Sequence, residues 1–395
     1  MSDLLKGNAF NTIEPYKLCS RVTDFNLLDV NQYICISEEF ESPLKFNTQG
    51  SILKDYSASR YRKVPGLDIF KFNNLTLFGH GMLCSNDNKV LVSNSLHIWP
   101  ERLNSKVNHL IYDYDKSNSL INIKCDLKKR FISGVCIPMS RPGEGTYGHW
   151  LVDFIPRLLI LKSLGITGKY IFTDLIPDYS WEFFKLLGID ESEIITYNPL
   201  TECVELEQAY VPTYLRLEDQ FSPLIAGLPR FFSSKSQIKG CKIYVARGDF
   251  RKNQKVLNNK AVIELLLKYG YEIVYPHEFS IKEQIDIFSQ ASVVVGEYGS
   301  AMHNTFFCHP GTKVIVLQSN QILSMIQTGL GNALSHQTEV LFCDSKQHSI
   351  NPRSFLVDIE LLASMLKKLN YENVPSKESI SFTQKFKHFI SRKQA

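Results

Sequence analysis

The stretch VVVGEYGSAMHN, residues 293–304, sets a run of valines against a turn with two glycines, then a serine, a histidine and an asparagine. Such an apolar run suits a strand covered on both faces of a parallel sheet. Gly296 and Gly299 let the backbone turn sharply or come close to a ligand. A short helix opening near Ser300 would aim free N–H groups and the positive end of its dipole at the same point. In an open parallel sheet, ligands collect beyond the carboxyl ends of the strands. Glycine turn, Ser300 hydroxyl and helix start together suit a phosphate. An ordinary strand-to-helix turn also uses Gly and Ser, and the spacing matches neither G-x-G-x-x-G nor a P-loop.

The surroundings repeat the strand–helix rhythm. CKIYVARG (241–248) reads as a strand, NKAVIELLLKYG (259–270) as a helix stopped by Gly270, and YEIVYP (271–276) as a strand. SIKEQIDIFSQA (280–291) reads as a helix opened by a capping box, Ser280 with Glu283. SAMHNTFFCH is a short helix and TKVIVLQ (312–318) a strand. A second series lies upstream. FISGVCIPMS (131–140), KYIFTD (169–174) and EIITYN (193–198) are strands; WLVDFIPRLLILKSLG (150–165) and SWEFFKLLGI (180–189) are helices. Strands alternating with helices imply parallel βαβ units. Residues 1–100 show short strands and turns, with SNDN (85–88) as turn chemistry. A Pro- and Ser-rich connection, 216–240, divides the two series. The expected organisation is therefore an N-terminal domain over 1–225, including the β-rich segment 1–100, and a ligand-binding domain over 235–345. Residues 346–395 form a final helix, which is expected to pack back on the N-terminal domain, and a basic tail.

Composition narrows the classes. The 395 residues are 44% apolar and 21% charged, with a net charge of +4 and no long basic run, which argues against a dedicated nucleic-acid binder. Nine cysteines, scattered singly without a C-x-x-C pair, fit neither a disulfide framework nor a zinc ribbon and point to a reducing cytosol. No signal peptide is read at the N-terminus. No stretch of 18 apolar residues suggests a membrane span.

KIYVARGDFRKNQKVLNN, then YGYEIVYPHEFSIKEQIDIFSQASVVVGEYGSAMHNTFFCHPGTKVIVL, preceded far upstream by GHWLVDFIPRLLILKSLG, resembles glycosyltransferase family 61. That family includes bacterial capsular-polysaccharide enzymes, plant xylan-decorating transferases and animal O-linked GlcNAc transferases. The resemblance runs over roughly residues 130–320 in ordered blocks. It implies an α/β, GT-B-like fold of two Rossmann-like domains facing across a cleft, with inversion at the anomeric carbon. Two positions depart from the pattern: Tyr298 stands where many members have histidine, and Asn259 where many have an acid.

An inverting transfer needs a base for the acceptor hydroxyl. His149, Asp153 and Arg157 recur every four residues, on one helix face. Asp153 and His149 are the catalytic candidates. An i,i+4 ion pair of Asp153 with Arg157 is the structural alternative, and Glu297 and Glu144 stand in reserve. The leaving diphosphate needs positive charge. Arg247, at a strand end, is the first candidate and Arg251 the second; Lys252 and Lys255 read as a solvated loop. Glu278 is a candidate for ribose hydroxyls, as acids in this part of GT-B enzymes can be. Gly296, Tyr298, Gly299, Ser300, His303 and Asn304 complete the expected donor site. DYD (113–115) matches D-x-D only superficially, so no metal is expected and no cofactor beyond a nucleotide-sugar substrate, a UDP-sugar first. The partners implied are that donor and a glycan or lipid-linked acceptor of capsule or lipopolysaccharide type, with cytoplasmic action at the inner face of the membrane. A non-glycosyl transferase such as a pyruvyl transferase, or an idle sugar-nucleotide-binding partner, is the competing class.

Overall fold

The computed structural model describes residues 9–22, 31–44, 47–50, 61–93, 96, 98, 106–115, 117–232, 240–247, 256–322, 324–345 and 354–371. The chain divides into two units, Met1–Phe40 with Pro65–Leu217, and Glu41–Val64 with Glu218–Ala395. Both are mixed α/β.

The first unit is built on a mixed sheet of twelve strands among the described residues. Its early half is mainly antiparallel, although Ala9–Ile13 pairs parallel with Lys89–Leu91 and Ser20–Val22 parallel with Gln32–Ser37. Leu67–Phe78, Met82–Cys84 and Lys89–Leu91 fold back on one another, and Ser85–Asn88 closes the second turn with Asn88 at φ 59°. The later half is parallel: Lys128–Pro138 pairs with Lys169–Thr173, which pairs with Ile194–Tyr197, and Ile155–Ser163 and Tyr179–Leu187 are the intervening helices. These are the strands and helices read from the alternation in the sequence. The strand that joins the two halves is not among them. Glu202–Pro212 runs antiparallel to Leu67–Phe78 and parallel to Lys128–Pro138. Its buried Val204, Leu206, Ala209 and Val211 are interleaved with Glu205, Glu207 and Gln208, which breaks the period of two. The register of Lys128–Pro138 against it shifts between Ile132 and Val135, where Gly134 has φ 81°. A bulge of this kind bends a strand and re-aims the chain beyond it. The Arg141 loop lies just beyond the end of this strand.

One local feature matters more than the rest. Between Tyr147–His149 and the helix Ile155–Ser163 the chain makes a π turn, Trp150–Phe154, closed by Ile155 N–H to the Trp150 carbonyl. Trp150 pins it. Its indole stacks on Phe154, Phe172 and Phe183 at 4.9–6.1 Å between centroids, and its Nε1 donates to the Glu144 carbonyl at 2.7 Å. Such single turns often mark functional positions.

The second unit is a parallel sheet in the order Glu272–Val274, Cys241–Val245, Ala291–Glu297, Lys313–Ser319, Gln337–Cys343, with Asn47–Gly50 added at the edge. Helices Asn259–Lys268 and Ile281–Ser289 connect its first strands, and the capping box of Ser280 and Glu283 opens the latter as expected. The helix after the glycine turn, Ser300–Phe307, is a 3₁₀ helix. Leu362, Met365 and Leu366 of the final helix Ile359–Tyr371 are buried with Val262 and Leu266 in this unit's own core. The basic tail beyond residue 371 lies outside the described residues. Among the described residues no helix is long and apolar enough to cross a membrane.

Candidate active site

In the second unit the strand order reverses beside Cys241–Val245. The next strand in the chain lies on one side of it and Ala291–Glu297 on the other. That is a topological switch point, where open parallel sheets bind ligands past their carboxyl ends. Val245 pairs in register with Gly296, so Arg247 and the turn Glu297–Gly299 leave the sheet side by side. Arg247 Nε lies 3.1 Å from Glu297 Oε1. Glu297 is 3% exposed and Arg247 is half-buried. The two glycines have separate reasons. A Cβ on Gly296 would overlap the Met302 sulfur and lie 3.0 Å from Val245 Cβ. Gly299, at φ 149° and ψ −173°, takes a conformation that side chains rarely adopt, and its Cα faces the Arg247 guanidinium.

Tyr298 and Ser300 are half-buried at this turn, and the Tyr298 N–H is held by the Leu317 carbonyl at 2.9 Å. His303 and Asn304 lie deeper. His303 Nδ1 is 3.1 Å from Gln327 Oε1, and Asn304 Nδ2 donates to Gln284 Oε1 at 3.0 Å. Both are buried, so they tie the 3₁₀ helix to its two neighbouring helices. Glu278 is exposed, at the turn Pro276–Glu278 just past a strand end. Arg251, with Lys252 and Lys255, lies outside the described residues.

The first unit holds the other cluster. Asp153 is 1% exposed and sits in the π turn. Its Oδ2 accepts from His149 Nδ1 at 2.6 Å and lies 3.0 Å from Arg141 Nη1. Its Oδ1 accepts from Arg216 Nε at 3.0 Å. Burial alone would raise its pKa; Arg141, Arg216 and His149 overcome that and hold the carboxyl well below the usual aspartate range. Asp153 is thus a fixed anion with both oxygens engaged. The imidazole it holds is about a third exposed and rests against Gly143, where a Cβ would come within 2.8 Å of the ring. With Nδ1–H donated to Asp153, Nε2 is left to accept.

Arg157 does not pair with Asp153, because the wider π turn breaks the four-residue phase. Its Nη1 donates to the Tyr214 hydroxyl at 2.8 Å and its Nη2 to the Pro138 carbonyl at 3.3 Å. Glu144, fully buried, accepts from the Thr173 hydroxyl and from Arg141 N–H at 3.2 Å. Sequence reasoning missed Arg141 and Arg216 as Asp153's partners. Arg141 comes shortly after a strand end, the feature that singles out Arg247, and could have been found; Arg216 comes after Glu202–Pro212, a strand the alternation does not reveal. Among the described residues no group of three His, Cys, Asp or Glu side chains could hold a metal ion.

A strand-end arginine beside a glycine turn lies in one unit and a carboxylate-held histidine in the other, and the protein is a glycosyltransferase. Residues 147–315 match the family model described as Glycosyltransferase 61, so the chain carries a family 61 domain. The match begins at the segment bearing His149 and Asp153 and ends within the strand after the glycine turn. No curated protein matches the chain.

Proposed function

We propose that the protein is an inverting glycosyltransferase that moves a sugar from a nucleotide-sugar donor, a UDP-sugar first, to a hydroxyl of a cell-surface glycan precursor of capsule or lipopolysaccharide type. The observation that carries this is the switch point of the second unit, where Arg247 is held against Glu297 beside Gly299. The donor diphosphate lies there, on Arg247 and the N-terminal end of Ser300–Phe307. Tyr298 and Ser300 complete the contact, and His303 and Asn304 position the helix. Glu278 reaches the ribose hydroxyls.

An inverting transfer needs a base to take the acceptor hydroxyl proton as its oxygen attacks the anomeric carbon, and positive charge to steady the nucleoside diphosphate that departs with its electron pair from the opposite face. Within the first unit His149 Nε2 suits the former role, and within the second Arg247 suits the latter. Asp153 is a positioning residue. It fixes the tautomer and orientation of His149 and stabilises the imidazolium as it forms. The GT-B-like fold is part of this proposal, supported by the parallel sheet of the second unit. No cofactor is required. Nine free thiols support action in a reducing compartment, at the cytoplasmic face of the membrane.

The experiment is calorimetric titration of the full chain with UDP and UDP-sugars, followed by transfer assays with whichever donor binds. Arg247→Ala is expected to weaken UDP binding by roughly 1.5–3 kcal/mol with the fold intact. Unchanged affinity removes Arg247 from the site.

A further inference from the structure

Arg157 is 3% exposed, and among the described residues it makes no ion pair with a carboxylate. Its Nε is buried without a hydrogen-bond partner. It shares Tyr214 with Arg141: the two guanidinium carbons lie 4.3 and 4.6 Å from the ring centroid. Both arginines and Tyr214 line a pocket within the first unit whose other walls include His80, Leu83 and Ile98.

Asp153 helps to hold this charge from a distance but makes no ion pair with it, because its oxygens are engaged by Arg141, Arg216 and His149. Glu144 faces Thr173 and the Arg141 backbone, with His80 Nε2 at 3.4 Å. Burial above all, and Arg141 as well, work against the charge on Arg157, although the Tyr214 oxygen helps to hold it. A buried guanidinium with an unmade hydrogen bond is costly unless an anion meets it.

The geometry points to an anion subsite, formed by Arg157 and Arg141 around Tyr214, that takes the carboxylate of an acidic sugar in the acceptor. This rests on the transfer reading above. Arg141 is the link: it lines the pocket and also grips the carboxylate that orients His149. An acceptor whose carboxylate enters the pocket is thereby held near the proposed base. A planar, singly charged carboxylate matches a guanidinium edge. The apolar walls at Leu83, Leu96 and Ile98 disfavour a doubly charged phosphate. A neutral hydroxyl would leave the charge unanswered.

The test is titration of the full chain, with UDP saturating and ionic strength fixed, using glucuronate, glucose and inorganic phosphate. Glucuronate is expected to bind more tightly than either of the others by on the order of tenfold. Arg157→Gln should abolish that preference while UDP affinity stays unchanged. Equal binding of glucose, phosphate binding as tight as glucuronate, or a preference that survives in a folded Arg157→Gln each overturns the subsite. Should that variant not fold, the wild-type comparison decides alone, and Arg157→Lys, which keeps the charge and loses the fork, should still weaken glucuronate. A chain that binds UDP yet shows no preference refutes the subsite only. A chain that prefers glucuronate but binds no nucleotide and transfers no sugar refutes the transfer reading only.

Discussion

Gly299→Ala separates a ligand-binding turn from an ordinary one. Gly299 sits at φ 149° and ψ −173°, and a Cβ there would overlap Arg247 Nη2 and lie 3.0 Å from its Cζ. Two costs result. The backbone strain is about 1–3 kcal/mol and lowers stability whatever the turn does. The steric cost falls on the far end of a flexible side chain, so Arg247 swings away and its 3.1 Å pairing with Glu297 is lost. If Arg247 grips the donor diphosphate, UDP then loses a charge-assisted hydrogen bond of roughly 1.5–3 kcal/mol, or roughly 10- to 150-fold in affinity. The assay is calorimetric titration with UDP beside a melting curve for each protein. Adding Arg247→Ala to Gly299→Ala should weaken UDP little further, because both changes remove one interaction. A Gly299→Ala protein that melts lower but binds UDP like the wild type refutes the reasoning.

Asp153→Asn should cost about 3–5 kcal/mol at neutral pH, because it removes the buried carboxylate that Arg141, Arg216 and His149 share; urea denaturation reads this directly. The folded pKa of Asp153 is depressed, so its stabilisation is complete above the unfolded value near ~3.9 and is lost as pH falls through the folded value. The variant should therefore show a flatter loss of stability below that pH than the wild type. His336 has the same pH sign for a different reason. Burial lowers its pKa to about 4, so the folded state refuses a proton that the unfolded state accepts. Its stability contribution is intact above pH ~6.5 and declines as pH falls towards about 4, by ~3 kcal/mol in all, and a folded His336→Leu protein should lack that decline in urea midpoints measured across the window.

The parts of this architecture legible in the sequence are those whose signal is local. The valine run, the glycine stops and the capping box at Ser280 each arise from neighbours in the chain, and they outline the second unit's first four strands. Glu202–Pro212 escapes because Gln208 follows Glu207, and two polar residues in succession break its alternation. Asn47–Gly50 escapes because its partner, Gln337–Cys343, is remote in sequence. The π turn has no periodic signature of its own, so the four-residue spacing of His149, Asp153 and Arg157 suggests one face where the structure makes two environments. By sequence alone Asp153 and His149 are rivals for the base. Only the approach of Arg141 and Arg216, from a loop and a strand end far apart in the chain, assigns the fixed anion to one and the open nitrogen to the other.

The most direct measurement is turnover by His149→Gln with the donor that supports transfer, set beside its UDP affinity. His149 is a third exposed and gives up one ring nitrogen to Asp153, so the substitution should leave the fold and UDP binding as they are. Loss of the proton acceptor should lower kcat by on the order of 10²–10⁴. A folded His149→Gln protein that transfers sugar at the wild-type rate contradicts the central claim.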